Sequence, residues 1–325
     1  VIEVAGRLGF EITDAGDIAS RAELARWGEA RGFDDAWTAE ITDPDAFVVL
    51  TAAALATSRL RLGTGIVPLG VRSAPHLAAA AASLAEVSGG RFVLGIGVSS
   101  KVIVEDWNGV PYDRPVQRAR ESVEVLAQVL DGGRSDLAGE QVRTHGFKLR
   151  NPPAARPPIL LAALGPTMLE LAGEIADGVF LNFIPTEAVP AAVEAVRRGA
   201  TRAGRTAPPE VVLGVPCAVT DDPDTARREF AHALGFYLTA PPYQRALERY
   251  GFEAEVAAAR TAWAARDMDG VRAAISDRLV DGIGAFGPAE LCRERVVEFS
   301  TAGVGSVSIS PTQPDLRSTL AAFAR

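Results

Sequence analysis

Arg91-Phe92-Val93-Leu94-Gly95-Ile96-Gly97-Val98-Ser99-Ser100 is the stretch on which the fold turns. Its apolar run reads as a short, fully buried strand, and a strand ending in Gly-Ile-Gly invites comparison with the glycine fingerprint of dinucleotide-binding folds. That fingerprint needs a third glycine three residues on, whereas Gly97 is followed by Val98-Ser99-Ser100. The first strand-to-helix turn, Thr13-Asp14-Ala15-Gly16-Asp17, lacks it as well. A doubly wound sheet usually announces its phosphate site in that first turn, so the pattern favours a closed barrel.

Working outward, short β-like runs alternate with helical stretches along the chain. Strands are predicted at 7–12, 35–38, 61–66, 92–97, 159–162, 178–182, 211–219 and 306–309. Helices are predicted at 18–31, 46–57, 75–87, 116–130, 167–176 and 188–203. In the first helix Ile18, Ala22, Leu24, Ala25 and Trp27 fall on one face, as packing on a sheet requires. Alternation of this kind implies a parallel sheet with helical crossovers, and eight strands imply a (β/α)8 TIM barrel. The expected organisation is one domain over 1–325 with two departures from the rhythm. Residues 132–158 read as a surface hairpin and a proline-stiffened connector, and 232–270 as a long insertion suited to a lid or a dimer surface.

Composition narrows the function classes. With 325 residues, 48% of them apolar, the chain can bury a large core, and a net charge of −8 repels nucleic acid and anionic membranes. No apolar run is long enough for a membrane span; residues 47–56 are too few. The first residues, with Glu3 and Arg7 and no apolar segment, do not read as a signal peptide. Cys217 and Cys292 are far apart in sequence, and His76, His145 and His232 have no ligand spacing. No disulfide framework and no metal site are therefore expected, and the chain is assigned to the cytoplasm.

A barrel of this type carries its chemistry at the C-terminal ends of its strands. Glu11 ends the first strand, where burial would raise its pKa toward a proton-transfer range, and Glu40 follows the second; an ordinary ion-paired glutamate is the plain alternative for each. Gly63 and Gly65 weaken the third strand, which suits either close approach of a ring or a bulge needed only for packing. Ser99 and Ser100 after the fourth strand offer hydroxyl donors. After the fifth strand, Ala163-Leu164-Gly165-Pro166-Thr167 opens a helix whose free amides and positive dipole end favour a phosphate.

Taken together these strand ends resemble the luciferase-like monooxygenase superfamily over nearly the whole chain. "LAEVSGGRFVLGIG" (84–97) lies close to that family's signature, and "RGFDDAW" (31–37), "LRLGTGI" (60–66) and "LAGEIADG" (171–178) follow in the family's order and spacing. Within it the chain is similar to the deazaflavin (coenzyme F420) branch that includes methylenetetrahydromethanopterin reductase, through Gly9-Phe10-Glu11, Val71-Arg72-Ser73, "ALGPTMLELAGEIADG" (163–178) and "PPYQRALERYGF" (241–252). "GVSSKVIVEDWNGVPYDRP" (97–115) is also similar to actinobacterial members of that branch.

The resemblance implies an enzyme that moves hydride between coenzyme F420 and a small organic substrate. It further implies a cis Gly65-Ile66 peptide behind the ring, with Gly97, Val98, Ser99 and Ser100 along the cofactor's polar side chain. Ala163, Leu164, Gly165, Pro166 and Thr167 become the phosphate turn, Asn182 a further cofactor contact, and Glu11 and Glu40 the acids beside the reacting centre. A homodimer is implied too. Many deazaflavin members carry Asp-His after the second strand where this chain has Glu40-Ile41, so no histidine acid or base is expected. Two alternatives stay open from sequence: an FMN-dependent luciferase-like monooxygenase, and a non-catalytic flavin-binding relative.

Overall fold

The computed structural model describes residues 4–301 and 303–325; Glu3, read above against a signal peptide, lies outside them. Eight parallel strands close on themselves: β1 (Arg7–Glu11), β2 (Asp35–Thr38), β3 (Arg61–Thr64), β4 (Phe92–Gly97), β5 (Ile159–Ala162), β6 (Gly178–Asn182), β7 (Glu210–Val219) and β8 (Ser306–Pro311). Each pairs with its neighbour in chain order, and β8 returns to β1 with Arg7 opposite Ser306, which closes the (β/α)8 barrel. Helices α1 (Ile18–Ala30), α2 (Ala46–Ala56), α3 (Ala74–Val87), α4 (Pro115–Leu130), α5 (Pro166–Ile175) and α6 (Val189–Arg202) form the crossovers. Most begin on a side-chain cap or a proline in the first turn, as Asp17, Asp45, Ser73 and Pro166 illustrate.

The predicted elements form, with two instructive differences. On α1 the buried positions are Arg21, Leu24, Ala25 and Gly28, while Ile18, Ala22 and Trp27 are half-buried. Gly28 lies flat on the Phe10 ring, where a Cβ would come within 2.3 Å, so a residue without a side chain takes the closest approach. The third strand ends at Thr64, two residues early. Its ladder to β4 breaks after Gly63↔Val93 and resumes in the two-residue strand Val67–Pro68.

Past β7 the chain leaves the simple alternation. Helices α7 (Pro223–Leu238), α8 (Pro241–Arg249), α9 (Glu253–Ala264), α10 (Met268–Ala273) and α11 (Asp277–Ile283) enclose their own apolar cluster, which reaches the barrel through Phe183. A three-residue strand, Ala285–Gly287, then adds to β7 before α12 (Ala289–Thr301), and α13 (Leu316–Ala321) follows β8. Within 132–158, Asp136–Ala138 pairs antiparallel with Arg143–His145. The turn of that hairpin is fixed by Glu121 of α4, whose carboxylate accepts the N–H groups of Glu140, Gln141 and Val142 at 2.7–2.9 Å. Among the described residues no helix is long and apolar enough to cross a membrane, and no group of three His, Cys, Asp or Glu is placed to hold a metal ion.

The two ends of the barrel differ in kind. The amino end is closed by ion pairs: fully buried Asp35 accepts both Nε (2.8 Å) and Nη2 (2.9 Å) of Arg61 and the Ser306 hydroxyl (2.6 Å). Glu210 binds Arg61 and Arg7 beside it. Above this plug the bore is filled by Trp37, Val93, Leu160, Phe180 and Val212, with Trp37 and Phe180 edge to face at 5.3 Å. Removing one member of a buried charge network leaves the others desolvated and under-paired, at a cost of about 3 kcal/mol. Asp35→Ala is therefore expected to lower folding stability by that order, read as an earlier urea midpoint at unchanged slope.

Candidate active site

The open end is built from the bulge after β3. Between Thr64 and Val67 the backbone leaves the β4 ladder, which would strand the N–H and C=O of Gly95 in the core. The buried Thr64 hydroxyl takes both, donating to Gly95 O at 2.7 Å and accepting from Gly95 N at 2.8 Å. The bulge is held from the other side by Gly65 N to Thr38 O (2.8 Å) and Glu40 N to Ile66 O (3.1 Å). Its Gly65-Ile66 peptide is cis, as the sequence resemblance implied. Gly65 lies over Phe180, whose ring would be 3.0 Å from a Cβ there, and Ile66 packs against Gly97 of β4. The bulge and the end of β4 thus share one apolar floor.

Glu11 stands at the end of β1 on the opposite side. A Cβ on Gly214 of β7 would lie 3.6 Å from Glu11 Oε1 and 3.4 Å from Asn182 Oδ1, so both groups face one small opening. The residue keeps some surface at the mouth while its carboxyl is enclosed by protein. Burial pushes its pKa from the ordinary 4.5 up to about 7; a hydrogen bond with Ser310 opposes this, and the charge of Asp14 adds to it. Asp14 is itself raised, by burial first and by Asp43 next, with Arg21 pulling the other way. Arg21 is buried and holds Asp43 at 2.9 Å and Gly16 O at 2.9 Å.

Glu40 is placed differently from Glu11. Arg72 grips both its oxygens, at 2.9 and 3.2 Å, and Ala46 N donates to it at 3.1 Å at the start of α2. The carboxylate is committed to orienting the β2–α2 loop, and Arg72 also reaches Asp45 at 2.7 Å.

The remaining predicted residues surround the opening unevenly. Ser99 adopts a left-handed backbone (φ 58°), and its carbonyl accepts the Tyr112 hydroxyl at 3.0 Å. Ser100 precedes the turn Val102–Asp106, and its hydroxyl accepts from Ile103 N at 3.4 Å, so that hydroxyl is partly spent locally. Val98 is half-buried against the core. Ala163 N bonds to Phe180 O, and Leu164 leads into Gly165, the N-cap of α5. That helix starts with Pro166 and Thr167, has no side-chain cap and has no acid in its first turn. Asn182 Oδ1 accepts the N–H of Phe183 at 3.0 Å, fixing another left-handed residue (φ 51°).

Four groups at this end were not singled out from sequence as site residues. Arg249, at the end of α8, lies against Gly165 with Nη1 3.5 Å from the point a Cβ would occupy, while its neighbour Glu248 is taken by Arg260. A cation beside the positive end of a helix is unfavourable until an anion sits between them. Phe183 stacks edge-on with Tyr237 at 4.8 Å, and Tyr237 with Tyr243 at 5.1 Å. The chain has only four tyrosines, and three lie in 232–270, a concentration visible in the sequence.

The profile of the family described as Luciferase-like monooxygenase matches residues 4–306. The 5,10-methylenetetrahydromethanopterin reductase of Methanolobus tindarius is 30% identical, covering 94% of this chain and 95% of that protein. The enzyme of the same name from Archaeoglobus fulgidus is 32% identical, covering 90% of each. Among solved structures, the coenzyme F420 dependent tetrahydromethanopterin reductase from Methanopyrus kandleri superposes with a TM-score of 0.80 at 26% identity, over 95% of this chain and 93% of that one.

The raised pKa of Glu11 makes a prediction about stability. The folded protein holds this proton more tightly than the unfolded chain, so the carboxyl favours folding at pH below about 4.5. That contribution is lost as pH rises through about 7. Glu11→Gln, which stays neutral, is expected to match the wild type near pH 4 and to exceed it by on the order of 1–3 kcal/mol at pH 8. Thermal melts of the two proteins across that pH range check the sign.

Proposed function

The chain belongs to the luciferase-like monooxygenase family, and from that membership we propose that it is a coenzyme F420-dependent oxidoreductase passing hydride between the deazaflavin and a small organic substrate. The observation that carries the reading is the juxtaposition, at one barrel mouth, of enclosed Glu11 with the uncapped start of α5 and its facing Arg249. The residues present suit the cofactor's parts. An anionic phosphate would satisfy the backbone N–H groups of Gly165 and Thr167 and the Arg249 guanidinium together. A flat ring would rest on the floor formed by Gly65, Ile66 and Gly97, with Val98, Ser99 and Ser100 along its polar side chain and Asn182 at its edge.

Bound there, the deazaflavin supplies or accepts hydride at C5 and is a poor partner for oxygen. The chain's own part is positioning, dryness and one proton. Glu11 can carry that proton at a carboxyl oxygen, because a pKa near 7 lets it give or take one at neutral pH. Glu40, held by Arg72, sets the loop beside the ring. Phe183, Tyr237 and Tyr243 cover the substrate side and exclude water.

We read 1–325 as one catalytic domain in which 132–158 and 232–270 are additions to the barrel, and place it in the cytoplasm, where the buried free thiols Cys217 and Cys292 would stay reduced. We also read it as a homodimer. Helix α2 contains no charged residue, yet it lies on the outside of the barrel with Val48 50% and Leu55 76% exposed. With Val87 of α3 these residues flank an apolar groove of ≈ 620 Å³, the kind of face a second copy would cover.

Two measurements test these readings. Titration of the purified protein is expected to show F420 binding more tightly than FMN, with Arg249→Ala weakening F420 roughly tenfold, as expected for a charge-assisted contact. Tight FMN binding with none for F420 would reverse the cofactor assignment. Leu55→Arg is expected to convert a species of twice the chain mass into one of the chain mass in sedimentation velocity, with helix content unchanged.

A further inference from the structure

The mouth is electrically divided. On the β4–β5 side stand Arg249 and the positive start of α5, and Arg245 bears on Tyr112 nearby. On the β1–β2 side stand Glu11, Asp14 and Asp43, all close enough for their charges to act on Tyr237. Arg21, the cation paired with those acids among the described residues, is committed to Asp43 and to the carbonyl of Gly16. An anionic cofactor tail belongs on the first side, which leaves the second for the substrate; this step rests on the function proposed above.

The substrate side has a wall of its own. Tyr237 packs edge-on against Phe183 at 4.8 Å and against Tyr243 at 5.1 Å, and Phe183 follows Asn182 at the strand end. All three rings are at least half-buried, and neither Tyr237 nor Tyr243 uses its hydroxyl in a hydrogen bond among the described residues. Tyr112, the contrasting case, donates to Ser99 O. Two hydroxyls without a partner among the described residues are free to donate to an acceptor. The three rings, packed edge to face, present an apolar surface, and the nearby carboxylates repel a negative guest.

We propose that Tyr237 and Tyr243, carried by helices outside the barrel, form with Glu11 a substrate-binding wall that takes an uncharged planar ring bearing a hydrogen-bond acceptor and rejects carboxylates. Phe183 supplies the packing face and the tyrosine hydroxyls meet the acceptor. Glu11 then approaches the same atom from the barrel side, where a proton is needed when a polar double bond is reduced. Specificity would thus reside in α7 and α8.

The test uses benzamide and benzoate, which have nearly the same shape and differ in charge. Each is titrated into the full-length protein without cofactor at pH 8 and followed by saturation-transfer difference NMR. Benzamide is expected to bind, and benzoate to bind roughly tenfold more weakly or not at all. Tyr237→Phe keeps the ring and loses the donor, and is expected to weaken benzamide roughly fivefold. Glu11→Gln is expected to narrow the gap between the two probes.

Equal binding of the two probes, no binding of benzamide, or indifference to Tyr237→Phe overturns the proposal. Thermal melts of the same samples report on the variants' folding, and F420 is titrated into each. That titration separates the two readings, because a protein that discriminates the probes but does not bind F420 retains this wall and loses the cofactor assignment.

Discussion

One side-chain hydroxyl makes the open end possible. A strand that leaves its ladder for three residues strands two backbone groups of its neighbour in the driest part of a barrel, and unsatisfied groups there cost ~1–3 kcal/mol each. Thr64 answers both demands on Gly95. Because it does, the run 64–66 can swing over the bore and present a flat backbone to whatever lies above. Gly63 below is compelled by the same packing: a Cβ would collide with the Trp37 ring at 2.1 Å. The glycines of this strand therefore serve different ends, one admitting an indole and the other giving the mouth its floor.

The barrel separates structural from chemical charge along its axis. At the amino end Asp35, Arg61, Glu210 and Arg7 neutralise one another within a closed set. At the carboxyl end the acids are left less evenly served. Arg21 holds Asp43, Arg72 holds Glu40 and Asp45, and Glu11 has no cation on it among the described residues; burial raises its pKa, against the hydrogen bond with Ser310. Two glutamates that look alike in sequence are thus distinguished by their neighbours: one is held by an arginine, and the other is left able to exchange a proton near neutrality.

The fold was legible because alternation of strands and helices is a local property, and eight strand patterns in a parallel arrangement leave few ways to close. Boundaries failed where tertiary contacts overrode local pattern. The third strand stopped at Thr64 because of the bulge, and Arg21 took a core-facing position on α1 because a carboxylate and a carbonyl were waiting for it. The strand Ala285–Gly287 has three residues, too few for a period to register. At the candidate site, the positions of the strand-end residues could be read from their strands. Arg249 and Tyr237 could not, since their meaning depends on helices that fold back over strand ends far away in sequence.

That division has a consequence for how such an enzyme changes. The floor, the bulge and the start of α5 are bound into strand registers, where a substitution disturbs the core. Phe183 is the link, because Asn182 fixes its left-handed turn at the strand end and its ring meets Tyr237 and Tyr243 above. The helices that carry those tyrosines have their own apolar cluster, so their residues can vary with little effect on barrel packing. On the proposed reading, a cofactor seat fixed by the barrel and a substrate wall fixed by an added helical layer can be altered independently. Physically, this is a route by which such a barrel could keep one chemistry while accepting different molecules.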